Sequence, residues 1–120
     1  MQSSFLWPLA ACMLASSTVL GQSSDGELIP RSMSERANYY LLSVKPDGQF
    51  LQTLHKRVSP FGVGYSITRI DCKTRRYQDL GYGDDAESNI RMYDSVKWTV
   101  LIDGSSKSDM VKFVCGRAAR

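Results

Sequence analysis

The residues able to do chemistry in this chain are few. They are Cys12, Cys72 and Cys115, a lone His55, a basic group at Lys56, Arg57, Arg69, Lys73, Arg75 and Arg76, and an acidic group at Asp79, Asp84, Asp85, Glu87 and Asp94. Two separated cysteines and one histidine do not fill the four positions of a structural zinc site, so no metal or other cofactor is expected. A histidine among basic residues suits a small secreted ribonuclease, with arginines holding the phosphate. Such an enzyme also needs a second acid or base across the substrate, and no spacing nominates one. His55 therefore reads as an exposed strand residue, and the chain as a non-enzyme. Asp84, Asp85 and Glu87 lack the order of a calcium loop and read as a solvated acidic stretch. Gly62-Val63-Gly64 and Gly81-Tyr82-Gly83 open no helix and are not phosphate cradles. Tyr65, Tyr77 and Tyr82 beside arginines have the residue types that stack single-stranded nucleic acid, a ligand that exported chains rarely meet; none is expected here.

Whether the cysteines oxidise depends on export. Residues 1–21 read as a signal peptide, with an apolar core from Phe5 to Ala15 and small residues Val19 and Gly21 ahead of a cut. The apolar run is well short of the ~20 residues that span a bilayer. An alternative lies inside it, because Leu9-Ala10-Ala11-Cys12 is a lipobox, and a lipid on Cys12 would make the protein an outer-membrane lipoprotein. No Lys or Arg precedes Phe5, which favours ordinary cleavage near Gly21 and a periplasmic or secreted product. Cys72 and Cys115 then remain, and an even pair in an exported protein most economically forms one disulfide. Joining them should restrict the unfolded chain by about 4 kcal/mol. The total stability of so small a domain is only about 5–15 kcal/mol.

The elements that must carry these residues are strands and one helix. At 120 residues and 13.4 kDa the chain is a single domain. Residues 22–38 are polar, without apolar period, and read as a flexible leader; the folded domain is expected at 39–120. Tyr39 to Lys45 reads as a strand broken by Pro46-Asp47-Gly48, and Phe50 to Val58 returns as its hairpin partner. Ser59 to Gly64 reads as a loop, since its Pro and two Gly exclude a regular ladder. Tyr65 to Cys72 and Arg75 to Tyr82 are two further strands joined tightly through Lys73 and Thr74. On the return strand Tyr77 and Asp79 face one way, and Leu80 and Tyr82 the other, if no bulge intervenes. Gly83 to Asp94 is irregular, Lys97 to Ile102 extended, and Trp98 is expected in the core.

The last segment is the clearest helix. Ser105 or Ser106 caps it, and Asp109 sits in its first turn, beside the positive dipole end. Met110, Val111 and Val114 form an apolar stripe at helical spacing, with Lys107 and Lys112 outward. Cys115 follows on the buried side, and Gly116 ends the helix. The fold class is therefore α+β: an antiparallel sheet of four to six strands with a C-terminal helix tethered by a disulfide.

Asp71-Cys72-Lys73-Thr74-Arg75-Arg76-Tyr77, then Trp98, Gly104-Ser105 and Phe113-Val114-Cys115, resembles the bacterial surface-adhesin protein E family. The likeness covers roughly residues 65–115, and Asp103 departs from it where the family has proline. The resemblance implies an antiparallel sheet whose C-terminal helix is held to its concave face by a disulfide between Cys72 and Cys115. It also implies an exported envelope protein that binds host extracellular-matrix or envelope partners without catalysis. Other readings are a small exported enzyme such as a nuclease, or a periplasmic inhibitor or assembly factor. Net charge is +3, with both signs over the surface. If the protein binds a protein partner or a sulfated or acidic surface ligand, the expected contacts are Arg69, Lys73, Arg75 and Arg76.

Overall fold

The computed structural model describes residues 26–118, in a single antiparallel sheet crossed on one face by one helix. Four long strands carry the sheet: β2 (Asn38–Asp47), β3 (Phe50–Ser59), β4 (Gly62–Asp71) and β5 (Arg76–Asp84). Three two-residue strands trim its edges. β1 (Glu27–Leu28) pairs with β2, while β6 (Arg91–Met92) and β7 (Thr99–Val100) both pair with β5. Helix α1 (Ser106–Ala118) follows β7. The α+β class and the tethered C-terminal helix are as expected from the sequence.

Turn chemistry explains the meander. Gly48 takes a φ of 63° and closes β2 onto β3 through Gly48-Gln49, a backbone shape that glycine adopts without strain. Pro46 does not break β2, because β1 covers only Tyr40 and Leu41 and leaves the stretch at Pro46 an edge with no partner for its missing N–H. The loop expected at Ser59–Gly64 shrinks to Pro60-Phe61. The ladder runs through Ser59↔Gly62, Val58↔Val63 and Arg57↔Gly64, so these glycines belong to a strand. A Cβ on Gly64 would lie 2.4 Å from the Tyr82 hydroxyl, so the exposed tyrosine covers the space that a side chain would take.

Two bulges set the faces. Leu42 is extra in β2 between Leu41↔His55 and Ser43↔Leu54. Leu80 is extra in β5 between Thr68↔Asp79 and Ile67↔Gly81. The second bulge returns Tyr82 to the side of Tyr77 and Asp79, so the expectation that held without a bulge does not apply.

The core lies between α1 and that side of the sheet. Ile29, Tyr39, Leu41 and Ile70 pack against Met110, Val111, Val114 and Cys115. The Ser105 hydroxyl caps α1 by accepting from the Ser108 amide at 3.1 Å. The helix does not stop at Gly116 but runs on to Ala118. Trp98 is half-buried against Phe50 at 4.9 Å between ring centroids and is not part of the helix-side core.

The flexible leader expected at 22–38 is corrected from Gly26 onward. Ile29 is 1% exposed in the core, its amide bonds the Tyr39 carbonyl, and β1 joins the sheet. The polar composition hid two core residues, Ile29 and Ala37. The signal peptide at 1–21 and Cys12 lie outside the described residues.

Candidate functional site

A polar cluster fills the space under the first turns of α1. Strand alternation brings Thr53 and His55 of β3, Thr68 of β4, and Tyr77 and Asp79 of β5 to the helix side. The Lys107 ammonium pairs with the Asp79 carboxylate, lies 3.4 Å from the Thr68 hydroxyl and sits 4.8 Å over the Tyr77 ring. Lys107 thus does not face outward as its helical position suggested; its long stem lies along the sheet and its charge ends at Asp79. The Thr68 hydroxyl donates to Asp79 at 3.3 Å, and the Thr53 hydroxyl to the Thr68 carbonyl at 3.4 Å.

His55 is 7% exposed, against the surface position expected for it. Its ladder neighbours Leu41 and Ser66 share the helix side, and alternation leaves it no other direction. Its Nδ1 is buried with no hydrogen-bond partner among the described residues. Burial pushes its imidazole down to about 4, with Lys107 adding to the shift and Asp79 opposing it. The imidazole is therefore buried and neutral at pH 7 in this arrangement.

The basic residues divide. Lys73, Arg75 and Arg76 are exposed together at the β4–β5 tip. The Asp71 carboxylate accepts from the Lys73 amide at 2.9 Å and the Thr74 amide at 3.3 Å. Bonds from Thr74, followed by those from the backbone and the nearby Lys73 charge, hold that carboxyl below its usual range. The Asp71 carbonyl also accepts from the Arg75 amide at 2.9 Å, and Arg75 takes a φ of 59°. Cys72 starts the turn and is bonded to Cys115 of α1, with Cα atoms 5.6 Å apart.

Arg69 does not join that tip. It lies on the face away from α1, its Nε 2.7 Å from Asp47 and its Nη1 2.8 Å from the Gln78 side chain. Alternation from Ile70 puts it there, and sequence proximity to Lys73 concealed it. Lys56 stacks over Tyr40, and Arg57 donates to the Tyr39 hydroxyl at 3.2 Å. The basic run of the sequence is thus dispersed over both faces.

One arrangement had no sequence signal. Arg31 reaches across to α1, its Nε 2.8 Å from Asp109 and its Nη2 3.1 Å from the Gly104 carbonyl. The Ser32 amide and hydroxyl donate to the same Asp109 oxygen at 2.9 and 3.2 Å. Burial raises the Asp109 pKa, but the bonds from Arg31 and Ser32 outweigh it and leave the carboxyl below its usual value. The acidic stretch is internally braced: the Tyr82 hydroxyl donates to Asp84 at 2.8 Å and Asn89 donates to the Asp84 carbonyl at 2.7 Å. Among the described residues no group of three or more His, Cys, Asp or Glu is placed to hold a metal.

Fold and site together define a small disulfide-clamped α+β domain with a cationic hairpin tip. No family model, curated protein or solved structure matches the chain. Among the described residues no helix is long and apolar enough to cross a membrane.

Proposed function

We propose that this chain is an exported, non-catalytic envelope protein, adhesin-like, whose β4–β5 tip binds an acidic or sulfated partner through Lys73, Arg75 and Arg76. The observation that carries the reading is the bracing of that tip. Three exposed cations share one short turn, whose backbone Asp71 holds from within and whose base the disulfide fixes to α1. Preorganised charge costs less ordering on binding than charge on a loose loop. The Cys72–Cys115 bond supports export, since such bonds persist in oxidising compartments. The sequence resemblance to the surface-adhesin protein E family supports the envelope role.

Arg69 leaves the proposed contact set, being engaged by Asp47 and Gln78 on the far face. The test is a pull-down by the mature, oxidised domain from extracellular-matrix proteins and envelope extracts, with RNA and peptidoglycan hydrolysis assayed alongside. Capture of an acidic or sulfated partner, released by salt, is the expected result. Turnover of either polymer that disappears in His55→Ala would overturn the binding-only reading and favour the small exported enzyme. Capture of a periplasmic protein that survives loss of the tip charges would favour an inhibitor or assembly factor.

A further inference from the structure

The histidine under α1 has no role in the proposed binding, yet its setting is unusual. His55 is the only histidine of the chain, and it is buried on the helix side of the sheet, two positions along β3 from Thr53, whose hydroxyl meets Met110 of α1. Around it, β2 contributes Leu41 and β4 contributes Ser66, neither of which can take up a charge. On its own strand, Arg57 shares its side and points its guanidinium to the Tyr39 and Ser59 hydroxyls. From α1 comes Lys107, a cation; from β5 comes Asp79, the anion already engaged by that lysine. Each of the two charges facing His55 is thus committed to the other, and Nδ1 has no partner of its own. A proton on this ring would create a buried cation beside a lysine, a costly state unless water enters.

We propose that His55 is an acid-operated latch: its protonation frees the first turns of α1 from the sheet while the Cys72–Cys115 bond keeps the far end of the helix attached. The disulfide is what makes this an opening and not an unfolding. Cys115 lies near the C-terminal end of α1, whereas Lys107 and Met110, which cover the polar cluster, lie near its start.

The sign follows from which state takes the proton. Closed, the ring holds its proton only below about 4; opened to water, it has the ordinary histidine value near 6.5. Closure is therefore at full strength above about pH 6.5. It weakens as pH falls from there to about 4, by up to roughly tenfold per pH unit, and the histidine adds nothing further below. Asp109 and Glu35, whose carboxyls are held below their usual range by Arg31, act in a lower window. Their contribution is present above the ordinary carboxylate values and lost only as pH falls through the depressed ones. The two windows are separable.

The experiment uses the full chain with its disulfide intact. Amide hydrogen exchange, corrected for the intrinsic pH dependence, is followed at residues 106–111 and at 114–115 between pH 7.5 and 4.5. The single imidazole is titrated by NMR in the same samples. The expected result is a protection at 106–111 that falls up to roughly tenfold per pH unit below 6.5, with 114–115 holding more of theirs, and an imidazole that does not titrate near 6.5 in the closed state. His55→Gln should remove the slope. If that variant does not fold, Lys107→Met serves instead, since loss of the facing cation should raise the imidazole pKa and end the slope at a higher pH than in the native chain. A native imidazole that titrates near 6.5, or helix protection without slope in this window, would overturn the latch. So would a slope that persists in His55→Gln.

Discussion

At the residue scale, the positions that matter most are polar ones inside the fold. Asp109 is the clearest, since it closes the N-terminal segment onto α1 through Arg31 and Ser32. Asp109→Asn keeps the shape but removes the charge from a carboxylate only 5% exposed at its side chain. It should cost about 2 kcal/mol, the scale of hydrogen bonds to a charged group, read as a lower urea midpoint at pH 7. The loss should shrink toward zero at acid pH, because a carboxyl held below its usual value gives up its contribution as it protonates. Gly64→Ala makes a different point, by placing a methyl group against the Tyr82 ring and hydroxyl. Tyr82 is exposed and can swing aside, so the cost should be about 1 kcal/mol or less, the scale of the Tyr82–Asp84 hydrogen bond that would be displaced, measured in the same way. Neither site was legible in the sequence. Arg31 and Asp109 are separated by 78 positions, and nothing in a polar N-terminal stretch announces which arginine will reach the helix. His55 was hidden for a related reason: a strand whose inward positions read Leu51, Thr53, His55 does not look amphipathic.

Among the elements, helix and strands were readable to different degrees. The helix could be read because its apolar stripe, capping serine and first-turn aspartate agree with one another, and Ser105 does cap it. The four long strands were found, but their ends were not. Pro46 and the glycines at 62 and 64 read as breakers; the proline is tolerated at an uncovered edge, and the space beside Gly64 is taken by the Tyr82 side chain. The Leu80 bulge, which decides where Tyr82 points, is marked locally only by Gly81, and a glycine there reads equally as a loosened strand end. The disulfide was legible from cysteine parity and segment type alone. Because it spans 43 positions, Cys115→Ser should lower stability by about 3–4 kcal/mol. Thiol labelling of the native mature protein should find neither cysteine reactive; two reactive thiols would remove the clamp from the account.

For the molecule as a whole, the sheet gives the chain a braced cationic tip, and the compartment decides what that tip meets. The mature N-terminus should lie near residue 22, which mass spectrometry of the exported protein reads directly; a diacylglycerol on Cys12 would place the domain on a membrane tether instead. The basic run in the sequence suggested one patch, and alternation split it by sending Arg69 to the face opposite α1. That division supplies its own control. Arg69→Gln and the triple change of Lys73, Arg75 and Arg76 to Gln remove charge from places near in sequence and apart in space. Exposed changes of this kind usually cost under about 0.5 kcal/mol each, so the triple variant should stay folded. The most direct measurement is the salt concentration that elutes each oxidised protein from an immobilised sulfated polysaccharide. Exposed charges are screened within about 8 Å at physiological ionic strength. The native chain and Arg69→Gln should elute together, and the triple variant at clearly lower salt with its melting temperature preserved. Equal elution of native and triple variant, or a shift caused by Arg69→Gln alone, would contradict binding through the β4–β5 tip.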